Sequence, residues 1–369
     1  MSIKNRGILR MRGRDKALIA MALTMMMMLS GCSSSQTDNL LDSGIKYIQD
    51  HEYQKAKETL EKALSQGASE HDCCRALGIC SLEQGDYDSA IEYFKTALSS
   101  GNGIIHDVDF DTNFYLAKAY YLNDDYSDAI SVYNAILNLR KNDKNAIYMR
   151  GVCYLEQGDH DLAMTDFQTV MKLDPKGYDR IIEIYQLLAD NGYEDEGIEI
   201  LEGVRDQNHM TNYELGQIAF YLGNNAQAQN YLELARNEKS EMDKSPIILL
   251  LGQTGEKQGD YNYAISVYKS YLEENGEHAE IYNRLGLCEM QMAVSYNDIS
   301  YYSMAINDFE TGLALNDPNE NKALLRNEIT AYEYTGDFET ANSLMSTYLS
   351  LYPDDEEAQR EAVFIATRI

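Results

Sequence analysis

The feature that most constrains this chain of 369 residues is a segment that recurs along it. Each copy reads as a turn followed by an amphipathic helix, with apolar residues three and four positions apart. Such a unit cannot bury its apolar face alone, so neighbouring copies have to cover it. The pattern therefore predicts an all-α array of stacked units. The best-matched copies are Glu83–Leu98, Glu156–Pro175, Lys257–Leu272 and Thr335–Pro353.

The turns in these copies carry residues that end one helix and begin the next. A glycine can adopt the left-handed conformation that closes a helix. The aspartate that follows it can accept hydrogen bonds from the first amides of the next helix. We therefore expect two helices around each turn, joined as a hairpin. The residues are Gly85, Gly158, Gly259 and Gly336, followed by Asp86, Asp159, Asp260 and Asp337.

In length and residue types the copies resemble the tetratricopeptide repeat. That family has small residues at positions 8 and 20, where two helices cross closely, and a bulky residue at position 24 that fills the adjacent gap. Position 8 reads Gly44, Gly78, Ala117, Gly151, Tyr185, Gly216, Gly252 and Gly286 in successive repeats from the first. Position 20 reads Ala56, Ala90, Ala129, Ala163, Gly197, Ala228, Ala264, Ala305 and Ala341. Position 24 reads Leu60, Phe94, Tyr133, Phe167, Leu201, Leu232, Tyr268, Phe309 and Met345.

The resemblance implies a right-handed, all-α solenoid of about nine helical hairpins. It covers residues 40–353, and a capping helix over residues 354–369 would close the array. Two departures stand out. The family's usual tryptophan at position 4 is absent throughout, and the fifth repeat carries Tyr185 where a small residue is usual.

The first 32 residues read as a targeting segment. A basic stretch precedes the apolar run Ala17–Leu29, which is too short for a membrane-spanning helix. The run ends in Leu-Ser-Gly-Cys at residues 29–32, which resembles the lipobox of bacterial lipoproteins. The resemblance implies that residues 1–31 are removed, that Cys32 carries lipid and that residues 32–39 form a short polar tether. An ordinary signal peptide with a chance cysteine is the alternative.

Charge narrows the classes of partner. The chain has 31 basic and 60 acidic side chains, a net charge of −29, whereas nucleic-acid binders need a basic surface. Residues 1–31 hold six basic side chains and one acidic one, so the processed chain would carry −34. An anionic membrane would repel it, so acyl chains would have to anchor it. A basic or extended protein partner would suit this surface.

The cysteines other than Cys32 have two readings. Cys73, Cys74 and Cys80 could form a metal or redox site. The repeat register favours small buried side chains, because Cys80 falls at the same repeat position as Cys153 and Cys288, where the family usually has a small buried residue.

An acidic insert is the remaining candidate for a metal site. Asp107, Asp109 and Asp111 alternate as in a calcium loop, but Thr112 and Lys118 stand where that loop needs Gly and Glu. A solvated acidic insert is the alternative.

The sequence lacks the HExxH, P-loop, dinucleotide-binding and nucleophile-elbow motifs. It therefore predicts no metal site, no cofactor, no small-molecule substrate and no enzyme.

The family resemblance also identifies candidate groove residues. In the family, positions 5, 9 and 12 of the first helix line the concave face, and here they carry aromatic, aliphatic and glutamine side chains. Aromatic rings give contact area at low entropic cost, and glutamine can bond a peptide backbone as donor and acceptor. Alternatively, these side chains pack against neighbouring helices. The residues are Phe114, Tyr121, Tyr148, Ile182, Gln186, Tyr213, Gln217, Phe220, Leu249 and Gln253.

Together these features predict a lipid-anchored scaffold on the outer side of a bacterial membrane, which binds a protein or peptide in its groove. Ser33 after Cys32 would permit sorting to an outer membrane if the host has one. Two alternatives remain open. One is a self-assembling envelope-assembly factor or secretion chaperone, and the more remote one is a hydrolase acting on cell-wall or peptide material.

Overall fold

The computed structural model describes residues 36–101, 104–205, 210–239 and 243–369. Nineteen α-helices account for most of these ranges, and no strand occurs within them. The predicted signal segment and Cys32 lie outside the described residues. The first helix of the described residues begins at Gln36, so it overlaps the end of the predicted tether. Every helix in the described ranges is too short or too polar to cross a bilayer.

The helices α1 to α8 are Gln36–Gln49, Tyr53–Ser65, Glu70–Glu83, Tyr87–Ser99, Asp107–Leu122, Tyr126–Leu139, Lys144–Gln157 and His160–Leu173. The helices α9 to α14 are Tyr178–Asp190, Glu194–Val204, Asn212–Tyr221, Asn225–Asn237, Ser245–Gln258 and Tyr261–Asn275. The helices α15 to α19 are Ala279–Tyr296, Ser300–Ala314, Asn321–Thr335, Phe338–Leu351 and Glu356–Ala366.

Successive helices pair into nine hairpins, and α19 follows the last one. The chain divides into two compact units, Met1–Tyr178 and Asp179–Ile369. Unit 1 holds hairpins one to four, and unit 2 holds hairpins five to nine with α19. Within each unit the contacts join mainly helices that follow each other in the chain. The prediction of an all-α fold built from about nine hairpins is therefore confirmed.

The turn residues act largely as predicted. Gly158, Gly259 and Gly336 have φ values of 88°, 74° and 82° and end α7, α13 and α17 in the left-handed conformation. Among the aspartates, Asp86 accepts a hydrogen bond from the Ser89 amide. Asp260 and Asp337 accept in the same way from Tyr263 and Thr340. Asp159 is the exception, because it lies at the start of α8 without a side-chain capping bond.

The helices of a hairpin approach each other where a glycine faces a large side chain. A β-carbon added to Gly78 would lie 2.6 Å from Phe94, and one added to Gly151 would lie 2.8 Å from Phe167. Both phenylalanines are fully buried. No substituent larger than hydrogen fits between such helices without displacing the ring. The glycine at position 8 and the ring at position 24 therefore form one packing unit.

The fifth hairpin reverses this arrangement. Tyr185 replaces the small residue of the first helix, and Gly197 replaces the usual alanine of the second. A β-carbon on Gly197 would lie 2.9 Å from the Tyr185 ring. The two departures from the repeat pattern therefore compensate each other, since the hydrogen-sized residue has moved to the opposite helix.

Hairpin eight carries an extension at its turn. The extra residues lengthen α15 to 18 residues, and Asn297 ends it with a φ of 51°. Val294, Tyr296 and Ile299 are about 60% exposed around this turn. The turns of the other repeats are mainly polar, so this extension gives hairpin eight an apolar edge of its own.

The final helix covers the last hairpin. Ala358 and Ile365 of α19 are fully buried and form one apolar cluster with Met345 and Tyr348 of α18. Asp355 begins α19 by accepting hydrogen bonds from the Ala358 amide and the Tyr348 hydroxyl. The helix therefore closes the apolar face that the ninth hairpin would otherwise expose.

The glycine–ring contact makes a testable prediction. The variant Gly78→Ala should lower the free energy of unfolding by about 1–3 kcal/mol, because the new methyl group would overlap the buried Phe94 ring. Urea unfolding followed by circular dichroism measures this change. The matched control is Gly203→Ala in α10, where a β-carbon meets nothing within 4 Å. It should be neutral or gain up to about 1 kcal/mol. Equal losses in the two variants would contradict the packing argument.

Candidate functional site

The predicted groove residues of unit 1 lie against rings of their own hairpins. Phe114 and Tyr121 are partly exposed on α5, whereas Tyr148 on α7 is buried. The Phe114 ring centre lies 6.1 Å from that of Tyr133, and the Tyr148 ring centre lies 6.0 Å from that of Phe167. Phe114 and Tyr121 therefore keep surface available for a ligand, and Tyr148 serves mainly in packing.

The predicted groove residues of unit 2 divide in the same way. Ile182, Gln217 and Phe220 are buried. Tyr213 and Leu249 are partly buried and pack beside the apolar cluster that spans α11 to α15. The remaining partly exposed residues are Gln186 on α9 and Gln253 on α13.

A polar and aromatic cluster joins α9 to α11 within unit 2. The Gln186 side-chain amide donates to the Tyr221 hydroxyl at 2.6 Å. The Tyr185 hydroxyl donates to the Tyr221 carbonyl at 3.3 Å, and the two rings lie 5.5 Å apart. Tyr221 was not among the predicted groove residues, although it directly follows Phe220. The cluster therefore holds Gln186 in a fixed position instead of leaving it to rotate freely.

A lysine and a second glutamine lie beside this cluster. The Lys257 ammonium lies 3.7 Å from the centre of the Phe220 ring, and burial lowers the pKa of Lys257. Burial, with a smaller contribution from Asp179, raises the pKa of Tyr213 to about 12, so its hydroxyl stays protonated and can donate. Gln217 has a buried carbonyl oxygen that meets no hydrogen-bond donor in the described part of the chain. These groups can donate and accept hydrogen bonds and can stack.

A buried ion pair in unit 1 has a structural role. Arg150 donates to both carboxylate oxygens of Asp166, at 2.8 and 2.7 Å, and to the Asn134 side chain at 2.6 Å. Asp166 is buried, and a bidentate guanidinium satisfies such a carboxylate well. The pair joins α7 to α8 and leaves the Asp166 carboxylate matched by a cation.

The calcium-loop reading of the acidic insert is wrong. Asp107, Asp109 and Asp111 lie in the first turns of α5 instead of a loop. Asp107 pairs with Arg140. Asp109 accepts from the His106 amide and lies 3.2 Å from the His71 imidazole. The acids therefore begin a helix, where carboxylates stabilise the exposed amides and the dipole.

The five cysteines of the described ranges are free thiols in the helix core. All of them are buried. Burial raises the pKa of Cys73 to about 11 and that of Cys153 to about 12. The Cys80 thiol donates to the Tyr53 carbonyl at 3.3 Å. The reading as small buried side chains is therefore confirmed, and the redox reading of Cys73, Cys74 and Cys80 is not supported.

Two clefts lie away from the predicted groove residues. One in unit 1 encloses about 290 Å³ between α4, α5 and α6, and the exposed side chains of Ile104, Ile105 and Leu139 contribute to its wall. One in unit 2 is lined by residues such as Arg205, Leu215 and Tyr231. None of the predicted groove residues is among the residues that line these two clefts.

Comparison with known proteins supports the repeat pattern directly. Residues 41–104, 81–150 and 145–177 each match a family model described as a tetratricopeptide repeat. The resemblance to tetratricopeptide repeats found in the sequence is therefore confirmed over residues 41–177. The hairpins of unit 2 continue the same helix pairing. A tetratricopeptide array suggests a protein–protein interaction scaffold.

Two curated relatives align with part of the chain. The peptidyl-prolyl cis-trans isomerase FKBP4 of Mus musculus is 27% identical over 133 residues, and that of Bos taurus is 28% identical over the same length. Each match covers 33% of this chain and 29% of the isomerase. The chain thus spans less than a third of the length of these relatives.

Several solved structures also resemble the chain. A tetratricopeptide repeat protein from Parabacteroides merdae is 19% identical, with a TM-score of 0.43, and the match covers 68% of this chain and 98% of that one. YrrB, described as a tetratricopeptide protein with an unusual peptide-binding site, is 18% identical with a TM-score of 0.38. That match covers 53% of this chain and 90% of YrrB.

The buried thiols make a prediction about reactivity. In a Cys32→Ser chain at pH 7.5, the five remaining cysteines should resist iodoacetamide, because the thiolate is scarce and shielded from solvent. All five should react once the chain is unfolded in guanidinium chloride, as counted by mass spectrometry. Adding Ser343→Cys, at an exposed position of α18, should restore one rapid reaction in the folded protein. Rapid labelling of Cys73, Cys74 or Cys80 in the folded protein would contradict this assignment.

Proposed function

We propose that this protein is a lipid-anchored, extracytoplasmic scaffold that binds a protein or peptide on the first-helix faces of its repeats. The observation that carries the proposal is the set of part-exposed aromatic, aliphatic and glutamine side chains at equivalent repeat positions. The set comprises Phe114, Tyr121, Gln186, Tyr213, Leu249 and Gln253. The four other predicted groove residues are buried, and they pack beneath these part-exposed side chains.

The kind of partner follows from the chemistry of the faces. Phe114 and Tyr213 offer flat apolar surface, and Gln186 is held in place by Tyr221. Glutamine side chains can bond the backbone of an extended peptide whatever its sequence. The net charge of −34 that the processed chain would carry favours a basic partner and would speed the encounter at low ionic strength. The proposed ligand is therefore an extended, basic protein segment.

The proposal of a lipid anchor comes from residues 29–32 and the apolar run before them. Two acyl chains on Cys32 would hold the protein at the membrane stably. Helix α1 begins at Gln36. An extended chain adds at most about 3.6 Å per residue, so the short link from Cys32 would keep unit 1 near the lipid surface.

Binding can be tested by cross-linking in cells followed by mass spectrometry. The combined variant Phe114→Ala, Tyr213→Ala and Leu249→Ala should lower the yield of the captured partner at least about tenfold. Loss of buried anchor side chains commonly costs more than about 1.4 kcal/mol of binding energy. Circular dichroism and thermal unfolding verify that the variant remains folded.

The matched control removes three exposed leucines that lie on second helices, Leu162, Leu234 and Leu351. The combined change of these residues to alanine should leave capture unchanged. Full capture by the first variant, or loss of capture in the control alone, would place the partner elsewhere and refute the proposed binding faces.

Anchoring has a separate test. The variant Cys32→Ser cannot receive the lipid, so it should leave the membrane fraction and appear in the soluble fraction of fractionated cells. Ser34→Ala is the control and should remain with the membrane. If Cys32→Ser stayed in the membrane fraction after a carbonate wash, lipidation at this residue would be ruled out as the anchor.

A further inference from the structure

Three pairs of acidic side chains occupy successive helix contacts near the end of unit 2. The pairs are Glu289 with Asp308, Glu310 with Glu328, and Glu333 with Glu361. They join α15 to α16, α16 to α17, and α17 to α19. We call helices α15 to α19, residues 279–369, the C-terminal segment. Like charges in such contacts repel each other, so the ionised state of each pair opposes the packing.

The first pair is the most deeply buried. The Glu289 side chain has no exposed surface, and its Oε1 accepts from the Lys269 ammonium at 2.8 Å. Its Oε2 meets no donor in the described part of the chain but lies within hydrogen-bonding reach of Asp308. Two ionised carboxylates cannot bond each other, so this contact needs a proton. Burial accordingly raises the pKa of Glu289 to about 7.

In the second pair, Glu328 is buried and Glu310 is exposed, and neither forms an ion pair with a cation in the described part of the chain. Glu328 on α17 is 5% exposed, and the acidic group that acts on it is Glu310 of α16. Glu310 accepts a hydrogen bond from the Tyr332 hydroxyl at 3.3 Å. Burial and the nearby Glu310 raise the pKa of Glu328 to about 7. Glu328 therefore carries the proton of this pair.

The third pair shares one arginine. Arg326 on α17 binds both carboxylate oxygens of Glu361 on α19 and holds the pKa of Glu361 low. Glu333 also faces Glu361, and one of its oxygens is buried without a donor in the described ranges. Burial and the contact with Glu361 raise the pKa of Glu333 to about 7. A protonated Glu333 can donate to Glu361 and so link α17 to α19.

We propose that the C-terminal segment is a proton-responsive device, tightened when Glu289, Glu328 and Glu333 carry protons and loosened when they ionise. Unit 1 offers a contrast, because its buried Asp166 is matched by Arg150. The proposal does not depend on the scaffold function or on the lipid anchor.

The direction of the pH dependence follows from proton linkage. In the unfolded chain a glutamate binds its proton near pH 4.5, whereas in the folded segment these three bind it near pH 7. Between these values the folded state holds more protons, so stability rises as the pH falls from 8 towards 5 and is lost as the pH rises through 7. Lowering the pH from 8 to 6 should favour the folded segment about tenfold for each such carboxyl.

Hydrogen–deuterium exchange of the full chain tests the proposal. After correction for the intrinsic pH dependence of amide exchange, protection of residues 279–369 should rise at least about tenfold from pH 8 to pH 6, and protection of α1 to α8 should change less. Glu289→Gln imitates the protonated acid, so it should raise protection at pH 8 and reduce the response about tenfold, which is the share of one carboxyl. Asp308→Asn removes the repulsion from the other side and should reduce the response too.

The control is Glu339→Gln, which removes the same charge from an exposed position of α18 and should leave the pH response intact. The proposal is wrong if protection of the segment is the same at both pH values or falls on acidification. It is also wrong if the control flattens the response as much as Glu289→Gln, because a general loss of negative charge would then explain the effect.

Discussion

The fold depends on one close contact that recurs in the hairpins, a hydrogen-sized residue on one helix against a large side chain on the other. Gly78 with Phe94 and Gly151 with Phe167 are the clearest cases. The small residue lets the two helix backbones approach closely, and the large side chain fills the space beside it. Hairpin five confirms that the size difference matters more than the positions, because Tyr185 and Gly197 exchange the two roles without losing the contact.

The sequence predicted the hairpins well because their determinants are local. Apolar spacing, the left-handed Gly158 and the capping Asp86 all act within a few residues, so a single copy of the repeat contains the needed information. The groove residues were harder, since a first-helix position does not reveal how deeply the next hairpin covers it. Tyr148 is buried and Phe114 partly exposed, although both occupy position 5. Tyr221 was missed because its bond to Gln186 joins two different hairpins.

The acidic pairs were also beyond sequence reasoning, and for a similar reason. Glu289 and Asp308 are separated by a helix end and an extended turn, and nothing in either neighbourhood marks them as partners. The chain has 60 acidic residues, and an acidic side chain on a helix is normally expected to be exposed to solvent. Their pairing follows from how α15 lies on α16, which only the folded chain reveals. The excess of negative charge in the chain thus also reaches the interior of unit 2.

The way α19 lies on the ninth hairpin has a consequence for how such a protein could change size. Ala358 and Ile365 occupy the face on which a tenth hairpin would otherwise stack. A duplicated hairpin inserted ahead of α19 would meet an apolar surface of the same kind on either side, and the closing helix would simply move outward with it. Adding or removing a whole repeat ahead of α19 would therefore leave the apolar face of the preceding hairpin covered by the same helix.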